Sequence, residues 1–410
     1  MNTNDIHITL PASKSMSNRW LMVNYVMQST FVLHNLSTAD DTQLLLALLS
    51  QLRHKSSNMY YCHNAGTPAR FMIALLAITP GTHILTGDDR LKQRPMAPLI
   101  NCLRKMGCQI ECTENEGFLP VTITGRTPEF KTATIDPSLS SQFVSGLMLM
   151  GPLLPNGITV SLTDRAASRP YIEMTRQILN QAGIEATVSP NKRVYRVGLT
   201  PPKAFRKSRV IEIERDWSSA SYIYSAAAIL PGVRLRMQGL SLTSVQGDSV
   251  AASIFESMGV TTKQLRSPYR ANVRSITVEG SGQHVSRFEY NFIDCPDLLP
   301  SVITTCAALG IEARLKGVKN LRLKESDRLM VLKTELEKMG GKMQLTENEI
   351  VLHAAELHPT QPVDDHHDHR IAMAFGVLSL KYPNLTVLHP DSVSKSFPDF
   401  WLQIDLIKKR

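Results

Sequence analysis

The chain has 410 residues, 43% of them hydrophobic, and a formal net charge of +9. This length exceeds the usual size of one hydrophobic core, so two domains are expected. The Lys and Arg residues are dispersed, which suits small anionic ligands better than the continuous basic stripe of a nucleic-acid-binding protein. No apolar run approaches the ~18 residues of a membrane span.

The N-terminus and the cysteines bear on the cellular location. Residues 1–5 are polar, so no secretory signal is predicted. The six cysteines form neither a paired metal spacing nor a dense disulfide framework, which is typical of reduced thiols. We therefore expect a cytoplasmic protein.

The first predicted helix begins in the segment Ser13-Lys14-Ser15. Ser13 or Ser15 can cap its first turn, and Lys14 and Arg19 lie about one turn apart. Free backbone N–H groups, hydroxyl donors and two cations would then converge on one small volume. The pattern favours an anion site, and an ordinary capped helix with solvated charges is the alternative.

A repeat extends along the chain. Four amphipathic helices end in a glycine, and these glycines are 76, 76 and 81 residues apart: Gly107, Gly183, Gly259 and Gly340. Each is followed by alternating, strand-like sequence, which is the pattern of a helix that leads into a hairpin. Together with recurring apolar helices, this predicts six copies of one αβ unit, the first of them shortened.

Six units divide naturally into two lobes of three, within an α/β (α+β) fold class. The predicted N-terminal lobe is 13–214, and the C-terminal lobe combines 1–12 with 215–410. The chain would then cross between the lobes near residues 12 and 214, and both crossings are predicted to act as hinges.

Polar residues mark the starts of several predicted helices. In the first half these are Gly66, which permits close backbone approach, the basic loop that contains Arg94, the group Ser140-Ser141-Gln142, and Ser168 with Tyr171. In the second half Asp297 precedes an apolar helix, and Lys324 and Arg328 are spaced to share a helix face, whereas Glu325 points elsewhere. Each motif alone is also compatible with a solvated turn or cap.

In their order and spacing, these motifs resemble the 5-enolpyruvylshikimate-3-phosphate synthase family of enolpyruvyl transferases. The matching segments extend over nearly the whole chain: Ser13-Lys14-Ser15, Asn64-Ala65-Gly66-Thr67, Arg94-Pro95-Met96, Ser140-Ser141-Gln142, Pro296-Asp297, Lys324-Glu325-Ser326-Asp327-Arg328, Asp368-His369-Arg370 and Lys395-Ser396-Phe397-Pro398. The resemblance implies two lobes of three βαβαββ units each, with helix N-termini that face the cleft between the lobes.

The resemblance also implies a reaction and its ligands. The enolpyruvyl group of phosphoenolpyruvate would move to the 5-hydroxyl of shikimate 3-phosphate, with release of phosphate and without a metal or organic cofactor. The residues implied for shikimate 3-phosphate are Lys14, Ser15, Arg19, Ser140, Ser141, Gln142, Ser168, Tyr171, Asp297, Asn320 and Lys324. Those implied for phosphoenolpyruvate are Lys14, Gly66, Arg94, Gln142, Arg328, Arg370 and Lys395.

The implied chemistry needs two proton transfers. C3 of phosphoenolpyruvate gains a proton while the 5-hydroxyl loses one, and phosphate then leaves a tetrahedral intermediate. Carboxylates with tuned proton affinity suit this task, so Asp297 and Glu325 are assigned as the acid/base pair, assisted by Lys14. Which carboxylate acts in which step stays open.

Three alternatives compete with this interpretation. The related transferase with a UDP-amino-sugar acceptor carries a reactive cysteine in a loop of the first lobe, whereas the corresponding loop here, 92–96, has none. A basic nucleic-acid-binding repeat protein and a metal-dependent hydrolase built on His366, His367 and His369 are the other two. We expect a monomer that acts on small molecules and binds neither nucleic acid nor membrane.

Overall fold

A computed structural model describes residues 5–28, 31–200, 209–266 and 274–409. The chain divides into two compact units, Lys14–Ile213 and a second unit formed by Met1–Ser13 with Glu214–Arg410. Five segments of the predicted lobes lie outside the described part: residues 1–4, 29–30, 201–208, 267–273 and 410. Among the described residues, no helix has the length and apolar character needed to cross a membrane.

The elements alternate between strands and helices along the chain. The strands are β1 Ile6–Ile8, β2 Phe31–His34, β3 Met59–Tyr61, β4 Gly81–Thr86, β5 Gln109–Cys112, β6 Val121–Gly125, β7 Thr132–Ile135, β8 Ile158–Leu162, β9 Ala186–Val188, β10 Val194–Val197, β11 Arg209–Glu212, β12 Arg234–Gln238, β13 Val260–Arg266, β14 Arg274–Gly280, β15 Arg287–Asn291, β16 Glu312–Lys316, β17 Lys342–Leu345 and β18 Glu349–His353. The α-helices are α1 Lys14–Val26, α2 Asp40–His54, α3 Gly66–Ala77, α4 Asp89–Lys92, α5 Ala97–Lys105, α6 Ser141–Met150, α7 Arg169–Gln181, α8 Trp217–Ile229, α9 Ala251–Glu256, α10 Leu299–Leu309, α11 Arg328–Lys338, α12 His369–Leu378 and α13 Phe400–Lys408.

In the described part of the chain, four sheets share one strand order. Their orders are β3-β4-β6-β5, β7-β8-β10-β9, β1-β12-β14-β13 and β15-β16-β18-β17. In each sheet the first two strands are parallel and the last two form an antiparallel hairpin. In three of these sheets a βαβ crossover followed by a hairpin produces this order, and in the fourth β1, from the start of the chain, takes the place of the first crossover strand. The four sheets therefore share one unit architecture.

Two further units are reduced. The first has a two-stranded parallel sheet, in which β2 pairs with β11 from the far end of the same compact unit, and α2 then leads to β3 without a hairpin. The predicted shortening of this unit is thus seen as the loss of its hairpin. The last unit, within the described residues, has an isolated parallel bridge between Val363 and Val387 beside α12.

The hairpins follow the four glycines of the sequence repeat. Gly107, Gly183, Gly259 and Gly340 all have positive φ, between 80° and 93°. This left-handed conformation ends the preceding helix at little cost only for glycine, and it redirects the chain into the hairpin.

Apolar helices form the interior of each unit. Helices α3 and α6 pack together in the N-terminal unit, and α10 packs against α8 and α12 in the C-terminal unit. Nearly all residues of these five helices are buried, which their uniformly apolar sequences favour. Such helices hold the polar residues at their first turns in fixed positions.

Candidate active site

Lys14 begins α1 and is held by an acidic neighbour. Its Nζ lies 3.1 Å from Oδ2 of Asp41, which belongs to the first turn of α2. The side chains are 16% and 6% exposed, so water screens this pair only partly. The ammonium group of Lys14 is therefore fixed in place.

Arg19, the second predicted cation of α1, is buried. Its Nη1 donates to Ser15 O, Nε to Thr175 Oγ1, and Nη2 to both Ser145 Oγ and Tyr171 O, at 2.7 to 3.1 Å. Only 1% of the residue is exposed, and burial lowers the pKa of Arg19 to about 10. The guanidinium group thus connects α1 to α6 and α7 from the interior of the unit.

The predicted serines lie at the first turns of α6 and α7. Ser140 caps α6, because its side chain accepts a hydrogen bond of 3.2 Å from the backbone N–H of Gln142, and Ser141 is buried. Ser168 precedes α7 with a φ of 55°, and Tyr171 lies in the first turn. Non-glycine residues with positive φ cluster at functional sites.

Gln142 connects α6 to α3. Its Nε2 donates to Thr67 Oγ1 at 2.8 Å, and its Oε1 accepts from Arg70 Nη1 at 2.5 Å. The Arg70 guanidinium group also lies 5.2 Å from the ring centroid of Phe143. These contacts fix the orientation of the Gln142 amide.

Gly66 and Arg94 are in direct contact. A Cβ placed on Gly66 would lie 2.8 Å from Cζ and from both Nη atoms of Arg94. Arg94 is 5% exposed and follows the short helix α4. The absence of a side chain at residue 66 therefore makes room for the guanidinium group.

Asp297 is the centre of the C-terminal group. Its Oδ2 lies 2.7 Å from Arg370 Nη2, and its Oδ1 lies 3.3 Å from Arg328 Nη1 and 3.5 Å from Lys324 Nζ. Burial alone would raise the pKa of Asp297, but the charges of Arg370, Lys324 and Arg328 outweigh it and hold the pKa well below the usual range. Asp297 is therefore ionised at neutral pH.

Arg328 is enclosed by carboxylates. Its Nε and Nη2 donate to the two carboxylate oxygens of Asp368 at 2.8 and 3.1 Å, and Nη2 also donates to Glu325 Oε2 at 2.7 Å. Burial would lower the pKa of Arg328, but Asp368, Glu325 and Asp297 raise it above its ordinary value. Asp368 also caps α12 by accepting from the backbone N–H of Arg370.

Of the other predicted residues of this unit, Lys395 lies beside the same group and Asn320 precedes it in the sequence. Lys395 Nζ lies 3.9 Å from Glu325 Oε1, and both side chains are almost buried, with 13% and 11% exposed. Asn320 lies in a short 3-10 helix, Lys319–Leu323, directly before Lys324. The C-terminal unit thus brings four cations and three carboxylates together: Lys324, Arg328, Arg370 and Lys395, with Asp297, Glu325 and Asp368.

A further carboxyl group, that of Asp248, lies close enough to Asp297 for the charge of Asp297 to affect its pKa. It is 1% exposed and accepts a 2.5 Å hydrogen bond from Ser218 Oγ. Burial raises the pKa of Asp248 to about 7, and the charge of Asp297 adds to this effect, whereas Ser218 and Arg370 oppose it. Asp248 and Asp297 are neighbouring carboxyl groups with opposite pKa shifts.

The described residues contain one group of possible metal ligands. Asp364, Asp365 and His389 offer ligand atoms that all lie within 4.8 Å of one another. Both carboxylate oxygens of Asp365 already accept hydrogen bonds from His389 and Ser392, so the hydrogen bonds alone account for this arrangement. Of the histidines in the hydrolase alternative, His369 is buried in α12, whereas His366 and His367 are exposed.

Comparison with known proteins identifies the family. The family model described as EPSP synthase (3-phosphoshikimate 1-carboxyvinyltransferase) matches residues 4–404. The chain belongs to the EPSP synthase family. The family prediction is thereby confirmed, and so is the prediction of a transferase; the UDP-amino-sugar alternative is not favoured.

Relatives of this EPSP synthase family member cover almost its full length. Enzymes named 3-phosphoshikimate 1-carboxyvinyltransferase from Bacteroides fragilis (strain YCH46) and Sulfurovum sp. (strain NBC37-1) are 36% and 30% identical. The alignments cover 96% of this chain and 93% of the first relative, and 98% and 96% for the second.

The solved structure of EPSP synthase from Acinetobacter baumannii has a similar fold. It matches with a TM-score of 0.74 and 22% identity, over 98% of this chain and 95% of the other. The predicted fold class, the two-lobe fold of enolpyruvyl transferases, is confirmed by this similarity.

Some contacts of the predicted residues were not expected from the sequence. Asp41, Arg70 and Asp248 were assigned no role, although each lies against or near a predicted site residue. The sequence offered weak signals: Asp41 is an acidic residue in a first helical turn, and Arg70 follows the Gly66 segment by one turn. Neither signal identifies the partner.

Proposed function

We propose that this protein transfers the enolpyruvyl group of phosphoenolpyruvate to the 5-hydroxyl of shikimate 3-phosphate and releases phosphate. The observation that supports this most strongly is the match of the EPSP synthase family model to residues 4–404. The concentration of cations around Asp297 agrees with it, because both substrates are polyanions. The residues that we assign to the two substrates come from both units.

In the N-terminal unit, we assign Lys14, Gly66, Arg94 and Gln142 to phosphoenolpyruvate. Shikimate 3-phosphate is bound by residues at the starts of three helices, and Lys14 and Gln142 serve both substrates. The set for shikimate 3-phosphate is Lys14, Ser15, Arg19, Ser140, Ser141, Gln142, Ser168 and Tyr171. Hydroxyl groups and backbone N–H groups at helix starts suit the phosphate of this substrate.

In the C-terminal unit, Arg328, Arg370 and Lys395 are assigned to phosphoenolpyruvate. Asp297, Asn320 and Lys324 are assigned to shikimate 3-phosphate. Because Arg328 is fixed by Asp368 and Glu325, its charge is already oriented before a substrate arrives. Such fixed charges need little rearrangement during the reaction.

The charges around Asp297 also suggest how its proton affinity changes. In the structure the charges of Arg370 and Lys324 outweigh the effect of burial and lower the pKa of Asp297, which disfavours its action as a base at neutral pH. Substrate oxyanions would compete for these two cations, and their negative charge raises the pKa of a nearby carboxylate. Asp297 then becomes able to accept a proton, and Glu325 and Lys14 complete the catalytic set.

The test of this function is phosphate release from phosphoenolpyruvate, measured with and without shikimate 3-phosphate in the presence of a chelator. We expect release only when both substrates are present, and no effect of the chelator. A UDP-amino sugar should not replace shikimate 3-phosphate. Phosphate release without the acceptor, or its loss on chelation, would contradict the proposal.

The assignment of Asp297 is tested by substitution. Asp297→Asn should lower kcat by at least about a hundredfold, the lower range of general acid–base catalysis. Glu289→Gln, which neutralises an exposed carboxylate of the same unit, is the matched control and should leave kcat unchanged. A loss of less than about tenfold in Asp297→Asn would remove this residue from the catalytic set.

The remaining expectations belong to the same proposal. We propose a cytoplasmic monomer that acts on these two small molecules, requires no cofactor, and binds neither nucleic acid nor membrane. Domain closure about the crossings near residues 12 and 214 is part of the proposed cycle. Small-angle scattering of the free protein and of the protein with both substrates tests oligomeric state and closure together.

A further inference from the structure

A buried carboxylate outside the set of substrate-binding residues holds a short segment of the C-terminal unit. Asp365 has 0% exposure. Its Oδ1 accepts from the backbone N–H of His389 at 3.0 Å and lies 2.9 Å from the ring Nδ1 of the same residue. Its Oδ2 accepts from Ser392 Oγ at 2.8 Å. Both oxygens are thus used by one segment of chain.

That segment carries a predicted site residue. His389 is the N-cap residue of the 3-10 helix Pro390–Lys395, Ser392 is its third residue, and Lys395 is its last. The first two residues of this helix, Pro390 and Asp391, are exposed, and Val393 is buried. So short a helix has little stability of its own, and the hydrogen bonds to Asp365 help to define its position.

Asp365 is also linked to the arginine cluster through its backbone. The N–H of Asp368 donates to Asp365 O at 2.9 Å. Asp368 binds Arg328 through both carboxylate oxygens, and Arg328 contacts Glu325, which in turn lies 3.9 Å from Lys395. The side chain of Asp365 therefore sets the Lys395 segment against the loop that holds Arg328.

We propose that Asp365 is a positioning residue for Lys395. This inference rests on the proposed function, in which Lys395 binds phosphoenolpyruvate. Without the carboxylate, the N–H of His389 and the hydroxyl of Ser392 lose their acceptor, and the ammonium group of Lys395 moves relative to Glu325. A displacement of about 1 Å at a substrate-positioning group can cost about a hundredfold in rate.

The test combines substitutions at Asp365 with one at Lys395. Asp365→Ala removes the acceptor, and Ser392→Ala is a milder variant that removes a single donor. Asp391→Asn is the matched control, because it neutralises an exposed carboxylate of the same segment. Each variant is made in the natural chain and in a Lys395→Met chain, with kcat and both KM values measured.

The inference predicts a selective and non-additive effect. Asp365→Ala should raise KM for phosphoenolpyruvate by about tenfold and leave KM for shikimate 3-phosphate within about twofold, with a smaller change of the same kind for Ser392→Ala. In the Lys395→Met chain, neither substitution should add more than about a twofold change. Asp391→Asn should change neither KM.

Two outcomes would overturn the inference, and they are distinguishable. If Asp365→Ala and Lys395→Met reduce kcat/KM by independent factors that multiply, Asp365 does not act through Lys395. If Lys395→Met leaves the phosphoenolpyruvate kinetics unchanged, the assigned role of Lys395 is itself wrong. Should Asp365→Ala fail to fold, the same comparison with Ser392→Ala decides.

Discussion

The guanidinium group of Arg94 lies against the Cα of Gly66, at a distance that leaves no space for a methyl group. A Cβ on Gly66 would be 2.8 Å from three atoms of that guanidinium group. Real Cβ atoms do not approach other heavy atoms so closely, and the flexible end of Arg94 would move before the backbone does. The two residues are thus coupled by steric exclusion.

Substitution of Gly66 by Ala should therefore displace Arg94. We expect KM for phosphoenolpyruvate to rise by about tenfold while KM for shikimate 3-phosphate changes little, because Arg94 is assigned to phosphoenolpyruvate alone. Steady-state kinetics with each substrate varied in turn measures the effect. Gly198→Ala is the control, since a Cβ there meets its nearest atom at 3.5 Å. Equal changes in both KM values would contradict this explanation.

The pairing of Lys14 with Asp41 gives a second prediction. Asp41→Asn removes the negative charge 3.1 Å from the Lys14 ammonium group, which then becomes mobile. We expect kcat/KM for phosphoenolpyruvate to fall by about tenfold. The neighbouring exposed Asp40→Asn carries the same charge change and should have no such effect. If the two variants behave alike, general electrostatics rather than the specific ion pair is responsible.

Arg19 is expected to matter for stability. Arg19→Met keeps the apolar volume but removes the buried guanidinium donor from Thr175, Ser145 and the carbonyl group of Tyr171, whereas the Thr175 hydroxyl remains as a donor to Ser145 and Tyr171. The free energy of unfolding should fall by roughly 2–4 kcal/mol in a denaturant titration. Arg193→Met, at an exposed arginine of the same unit, should change it by less than about 0.5 kcal/mol. If Arg19→Met keeps its stability and loses only affinity for shikimate 3-phosphate, then Arg19 contributes to substrate binding and not to stability.

Asp248 predicts a pH dependence of stability. Its pKa is raised from 3.8 to about 7, so the folded protein holds the proton more tightly than the unfolded chain. The resulting stabilisation is complete below about pH 4 and is lost progressively as the pH rises to about 7. Residue 248 does not titrate in Asp248→Asn. The thermal midpoint of this variant minus that of the natural protein should therefore increase across this pH range and stay constant at higher pH.

The measurement for Asp248 is a series of thermal unfolding curves between about pH 4 and pH 8. Glu289→Gln, at an exposed carboxylate of the same unit, serves as the reference variant. It should follow the natural protein at every pH. A constant difference between Asp248→Asn and the natural protein would mean that Asp248 keeps an ordinary pKa.

The sequence predicted local features of the fold well. The helix-ending glycines Gly107, Gly183, Gly259 and Gly340 each precede a hairpin, because conformation and hydrophobic alternation are properties of neighbouring residues. Strand pairs whose members are distant in the sequence were harder to predict. That β11 completes the sheet of the first unit could not be deduced, since the strand carries no mark of its partner β2.

The same distinction applies to the candidate site. Asp297 and Lys324 were expected near one ligand, and the structure places them 3.5 Å apart. The burial of Arg19, by contrast, depends on Ser145 and Thr175, more than a hundred residues away, and no local pattern indicates such contacts. Composition and spacing indicate which side chains could bind a substrate or catalyse a reaction. The residues that these side chains contact depend on tertiary packing.

Two sheets join an early strand to a strand that is synthesised much later. Strand β1 pairs with β12, where Ile6 lies opposite Leu235, and β2 pairs with β11, where Phe31 lies opposite Arg209. A ribosome must therefore produce about two hundred further residues before either early strand finds its partner, and such long-range closure slows folding. During translation these first strands therefore remain unpaired until about half of the chain has been made, and chaperones that shield exposed backbone can act in this period.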